Sequence, residues 1–237
     1  MKANRLNLRF VSGALFAVAG LFVIQGYQQP AQAGGVVLAD AGHAMPARSS
    51  VKDSPAIAAY RAADARMHHA MMVQYSGDPD VDFMRGMIPH HQGAVDMAKV
   101  VLEYGKDPQV RKLAQDIVAS QSGEIGMMNK WLSEHRAAPG KSADAAIAAY
   151  RAASDRMHQA MMIQYSGDPD VDFMRGMIPH HQGAVDMAKV VLEYGKDPQV
   201  RKLAQGIVAS QSGEIGMMNK WLSQHQPAAA AASQGSR

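Results

Sequence analysis

The sequence predicts an all-α fold arranged as two tandem three-helix units, each an antiparallel helical bundle. Three observations carry that prediction. No stretch alternates apolar and polar residues as a half-buried strand would, whereas apolar residues recur at spacings of three and four along long segments. Those segments are separated by short loops, Ser76-Gly77-Asp78-Pro79 and Gly105-Lys106-Asp107-Pro108, too brief for anything but antiparallel neighbours. The whole pattern occurs twice: Ile57 to His135 returns from Ile147 to His225 at an offset of 90. Only Asp64/Ser154, Ala65/Asp155, His69/Gln159, Val73/Ile163, Asp116/Gly206 and Glu134/Gln224 differ.

The first helix is predicted over Ile57 to Tyr75, with Ile57, Tyr60, Met67 and Met71 on one face. Gly77 then acts as C-terminal cap, Asp78 as N-cap and Pro79 as first helical residue of the second helix, which reaches Tyr104. The run Asp78 to Asp82 is too short for a calcium loop and reads as acidic charge at a helix N-terminus. The third helix, Pro108 to Glu134, lines up Val110, Leu113, Ile117, Ile125, Met128 and Trp131, with Gln121, Glu124 and His135 on the same face. Three helices of about 80 residues make a small core and leave one side open. The two repeats are therefore expected to pack together, or the protein to dimerise.

Outside the repeats, the chain divides into a leader (1–33), a disordered spacer (34–55), a linker (136–146) and a disordered tail (226–237), leaving 56–135 and 147–225 as the two helical metal-binding repeats. Lys2, Arg5 and Arg9 precede an apolar run from Phe10 to Ile24, and Ala31-Gln32-Ala33 supplies a small-x-small cleavage site before Gly34. This is the pattern of a secretory signal peptide, with a periplasmic or secreted mature protein. The apolar run is shorter than the ~20 residues of a spanning helix, so no membrane association is expected after cleavage. The formal charge of +3 resides in the leader; without it 21 basic residues face 21 acidic ones. Nucleic acid is accordingly not an expected partner.

The absence of cysteine excludes a disulfide framework and every thiolate metal site. Of 18 methionines and 10 histidines, all but Met1, Met45 and His43 lie in the repeats. The densest stretch is Phe83 to Met97, FMRGMIPHHQGAVDM, repeated letter for letter from Phe173 to Met187. On a helix Met84, Met87 and His91 share the apolar face with Ala94, Ala98 and Leu102, while His90 and Met97 lie on its flank. Pro89 deprives the Arg85 carbonyl of its partner, so a bend or restart is expected there, one that could aim both histidines at one point.

Methionine is a common core filler, but two adjacent imidazoles need partners that two aliphatic residues would not. Zinc gains little from thioethers, calcium and magnesium require oxygen ligands, and the Glu-x-x-His pairs of a di-iron bundle are absent. Thioether with imidazole selects copper, Cu(I) above Cu(II). Because thioethers do not titrate, Cu(I) binding is expected to survive at pH 5, and imidazole-held zinc or Cu(II) to be lost. A weaker second cluster is expected on the first helix from Met67, His68, Met71 and Met72, with Met157, His158, Met161 and Met162 in the second copy. No catalytic constellation appears, and no enzyme is expected. The alternative is a metal-free helical interaction module presenting Met-rich surface to a partner protein.

Met87-Ile88-Pro89-His90-His91-Gln92 with Ala94 and Met97, followed by Ala114, Gln121, Glu124-Ile125, Met128 and Trp131, resembles the exported Met/His-rich helical family described as a domain of unknown function, which includes CopM-type copper-binding proteins. The resemblance spans essentially all of each repeat. It implies a ferritin-like bundle that binds copper outside the cytoplasm, sequesters it or delivers it to another copper-handling protein, and supports copper resistance. The positions it implies are Met87, His90, His91, Met97, Glu124 and Met128, with Met177, His180, His181, Met187, Glu214 and Met218 in the second copy. A carboxylate on an apolar face needs a partner, and Glu124 is read as orienting a ligating imidazole.

Overall fold

The computed structural model describes residues 54–140 and 142–225, all within one compact unit, and they form six helices without a strand. These are α1 (Pro55–Ala70), α2 (Pro79–Tyr104), α3 (Pro108–Glu134), α4 (Ala143–Ala160), α5 (Pro169–Tyr194) and α6 (Pro198–Gln224). The leader, spacer residues 34–53 and the tail lie outside the described residues.

The helix starts follow from local chemistry. Asp78 accepts from the backbone N–H groups of Asp80 and Val81 (3.0 and 3.2 Å), and Asp107 from those of Gln109 and Val110 (2.8 and 3.0 Å), each just before a proline. Asp168 and Asp197 repeat the arrangement. Gly77 takes φ +84°, the left-handed turn that lets the chain double back into α2. Asp82, almost wholly buried, closes that turn by accepting from Ser76 N and Oγ (both 2.7 Å) and Gly77 N (2.9 Å).

The first and fourth helices differ from the sequence expectation at both ends, and α1 begins at Pro55, inside the segment 34–55 read as spacer. The first helix ends at Ala70 rather than Tyr75. The next residues leave the helix so that Tyr75 stacks on Tyr150 of α4, ring centroids 5.8 Å apart, and Tyr165 stacks on Tyr60 at 6.1 Å. Burying two tyrosine rings between copies outweighs the propensity that would have extended α1 and α4. Likewise α4 begins at Ala143, inside the segment 136–146 read as linker.

Each copy is a three-helix unit with one open side, as the sequence predicts, and the other copy covers that side. Helices α1 and α3 both lie against α2 and hardly touch each other, and the remaining side of α2 is covered by α5, its counterpart in the second copy. The two copies are joined by reciprocal contacts. Tyr60 Oη donates to Pro169 O and Tyr150 Oη to Pro79 O, both at 2.9 Å. Asp80 accepts from Lys196 N and Asp197 N (2.9 and 3.2 Å), and Asp170 from Lys106 N and Asp107 N (2.8 and 3.2 Å). Burial pushes the Asp80 carboxyl above the usual carboxylate range, opposed by those two backbone donors. Gly105 and Gly195 are required by this approach: a Cβ at either would strike the facing aspartate and its own helix's valine carbonyl.

Tyr150→Phe should remove one cross-copy hydrogen bond and cost about 1 kcal/mol. Urea unfolding measures it, and Tyr60→Phe should cost a similar amount if the two contacts are equivalent. No loss in either variant would show that these hydroxyls contribute nothing to the union of the copies.

Candidate metal centre

Helix α2 delivers Met84, Met87, His90, His91 and Met97 to the interior, and α5 delivers Met174, Met177, His180, His181 and Met187; all ten are buried. Small residues make this possible. Gly93 and Ala94 let α1 and α2 approach so closely that a Cβ on Gly93 would lie 2.5 Å from Met67 Sδ. The helix runs through Pro89 without a restart, which leaves a bend as the remaining form of the sequence expectation. Arg85, whose carbonyl loses its partner to Pro89, is exposed, so water can satisfy that carbonyl.

His91 is completely buried, and its Nε2 lies 2.6 Å from Glu124 Oε2 of α3. Because a carboxylate only accepts, Nε2 carries a proton, and in the neutral ring this leaves the lone pair on Nδ1. That Nδ1 has no hydrogen-bond partner. His181 and Glu214 repeat the geometry at 2.6 Å, again with Nδ1 unpartnered. Glu124 and Glu214 thus touch an imidazole and remain about one-fifth exposed, where solvent helps to bear the charge.

His90 does not converge with His91; their ring centroids are 6.1 Å apart. It meets His180 instead, with ring centroids at 3.9 Å. His90 Nε2 donates to the His180 carbonyl at 3.0 Å, which leaves its Nδ1 unprotonated and unpartnered. His180 is turned towards the His90 carbonyl in the same way, and its Nδ1 likewise has no partner. Complete burial, followed by the neighbouring histidines, pushes the proton affinity of both rings well below the ordinary histidine value. An unpartnered polar nitrogen in an interior costs about 1–3 kcal/mol. Four unpartnered Nδ1 atoms, one on each ring, are a loss that a bound ion would recover.

The methionines divide by position. Met87 precedes His90 by three residues and His91 by four, one helical turn away, and Met87, Met177, Met128 and Met218 are fully buried. Met97 and Met187 cross to the other copy: a Cβ on Gly176 would come within 2.9 Å of Met97 Cε, and one on Gly86 within 2.8 Å of Met187 Cε. Sequence reasoning placed Met97 beside its own His90. The exchange has a sequence trace only in Gly86 and Gly176, four residues before His90 and His180, which clear space for a facing side chain.

The second cluster is not assembled as expected. Met67 and Met157 lie against Gly93 and Gly183, Met71 and Met161 are buried, and Met72 and Met162 fall beyond the shortened helices, 66% and 69% exposed. His68 and His158 are exposed and stack on one another at 4.0 Å instead of turning to the methionines of their own helix. His69, also exposed, is replaced by Gln159 in the second copy. His69→Gln should leave copper stoichiometry unchanged; an equivalent lost in that variant would make His69 a ligand.

Among the described residues no three His, Cys, Asp or Glu side chains gather as a metal site. The family profile described as "Domain of unknown function (DUF305)" matches residues 80–167 and 170–237, segments that begin 90 residues apart at the starts of α2 and α5. Among solved structures, a DUF305 protein from Streptomyces coelicolor is 29% identical, with a TM-score of 0.50 over 63% of this chain and 94% of that one. CopM in its Ag-bound form is 34% identical, with a TM-score of 0.48 over 62% of this chain and 97% of that one; it has also been solved in Cu(I)- and Cu(II)-bound forms. An uncharacterised protein, L153, of Acanthamoeba polyphaga mimivirus is 44% identical over 57 residues, 24% of this chain; the chain spans only 38% of that relative. With both matched segments together covering more than half of its length, the chain belongs to the DUF305 family.

Proposed function

We propose that the protein binds copper, as Cu(I) in preference to Cu(II), outside the cytoplasm, and sequesters it or passes it to another copper-handling protein. The observation that carries this reading is the set of unpartnered nitrogens on His90, His91, His180 and His181, wholly buried among methionines. Imidazole lone pairs and thioethers with no thiolate make a soft donor set that favours Cu(I) over zinc. Glu124 and Glu214 fix the tautomers of His91 and His181 and raise the basicity of the facing nitrogen. Met87, Met97 and Met128, with Met177, Met187 and Met218, are the thioethers assigned to the ion. No catalytic step forms part of this reading.

The leader 1–33 is proposed to direct export, giving a mature N-terminus at Gly34. No helix among the described residues is long and apolar enough to cross a membrane.

Anaerobic titration of the mature protein with Cu(I), against a chromophoric chelator, should reveal at least one tightly held equivalent, with zinc bound feebly. Tight zinc together with feeble Cu(I) would overturn the proposal. The exposed methionines Met72, Met127, Met162 and Met217 favour a second reading, a metal-free interaction module. Metal content of protein purified from copper-fed cells separates the two, since the interaction module would emerge without copper.

A further inference from the structure

The two copies bring His90 and His180 together more closely than either copy brings together its own adjacent histidines. The inter-copy centroid distance is 3.9 Å against 6.1 Å within each copy. Both rings are completely buried, and neither Nδ1 has a partner. His180 faces the His90 carbonyl as His90 faces the His180 carbonyl, so each ring, when neutral, keeps a lone pair at its unpartnered Nδ1. The methionines follow the same exchange. Met97 of the first copy reaches Gly176, one turn before His180, and Met187 of the second reaches Gly86, one turn before His90.

We infer that His90 and His180 belong to one metal site shared between the copies, a soft monovalent cation site that Met97 and Met187 flank from opposite sides. This rests on the copper reading but differs from one independent site per repeat. Two cations bound separately on rings in contact, in an interior without water, would repel each other strongly. A single ion held between the two rings would avoid that repulsion. The site would then need two copies of this helix, since neither repeat supplies both imidazoles by itself. His91 and His181, each held by its own glutamate, remain separate from the shared pair.

The test is a double-substitution cycle on the full mature chain, read as Cu(I) equivalents by chelator competition. His90→Gln and His180→Gln should each remove the same one equivalent, and the double variant should remove no more than either alone. Loss of two equivalents in the double variant, or of none in either single variant, would overturn the shared site while leaving copper binding intact. Wild-type protein that holds no Cu(I) would sink the functional reading along with it. A second measurement avoids any folding defect in the variants. In ¹⁵N-histidine-labelled wild-type protein titrated with Ag(I) as a redox-inert soft probe, the ring nitrogens of His90 and His180 should shift together at the same equivalent. Shifts at different equivalents would show two sites.

Discussion

The first repeat expressed alone, residues 54–135, should be a homodimer rather than a folded monomer. In the full chain the face of α2 that carries Gly86, His90 and Met97 is covered by α5, and Tyr60 and Asp80 bond to the second copy. A solitary unit would leave these groups without partners, and a core of about 80 residues has little stability to spare. The remedy is built into the sequence: Pro79 to Tyr104 and Pro169 to Tyr194 are identical, so the face of α2 is complementary to a second copy of itself. Such a surface closes by two-fold symmetry. Light scattering should give twice the monomer mass, and the unfolding midpoint should rise with protein concentration. Asp80→Ala with Tyr60→Phe should weaken the dimer. A monomeric fragment with a sharp, concentration-independent transition would show that the contacts between copies are incidental to folding.

The metal-free protein should lose stability steeply below about pH 6.5. His90 and His180 are buried as neutral rings, and burial holds their folded-state pKa well below the ordinary value of 6.5. The unfolded chain protonates both near that ordinary value, whereas the folded state does not. Below it the unfolded state therefore binds more protons, and folding stability falls as pH falls. The stability contributed by the neutral rings is fully present above pH 6.5 and is lost on descending towards their folded-state pKa. The slope is at most about 1.4 kcal/mol per pH unit for each ring, so up to about 3 kcal/mol for the pair at pH 5.5. Against a typical total of about 5–15 kcal/mol this is a large fraction. Urea unfolding of apo protein at pH 7.5, 6.5 and 5.5 gives the slope, which His180→Gln should reduce by roughly half. Stability flat between pH 7.5 and 5.5 would mean that the two rings are not buried neutral.

The six helices and most of their ends were legible in the sequence because their causes are local. An aspartate before a proline satisfies the first free N–H groups wherever it occurs, and the predicted starts at Pro79 and Pro108 are those of α2 and α3. The apolar face of α2 followed from residue spacing, which placed Met84, Met87 and His91 inward. The end of α1 was not legible. Val73, Gln74 and Tyr75 carry nothing that stops a helix, and only the facing Tyr150 ring makes leaving it worthwhile.

The sequence by itself determined the inventory of donors: methionine and histidine without cysteine, concentrated on two identical helices, with a glutamate on the following helix placed to face them. The tertiary structure alone decided which donors meet. His90 and His91 are adjacent in the chain, but adjacent residues on a helix point about 100° apart, and their rings diverge. His90 and His180 lie 90 positions apart and touch, because α2 and α5 cross where Gly86 and Gly176 leave room for the opposing methionines. Two near-identical copies give the sequence no means of stating whether a histidine faces its own repeat or the other. That choice is made by the packing of one helix face against its duplicate, which buries both imidazoles and leaves their Nδ1 atoms unpartnered.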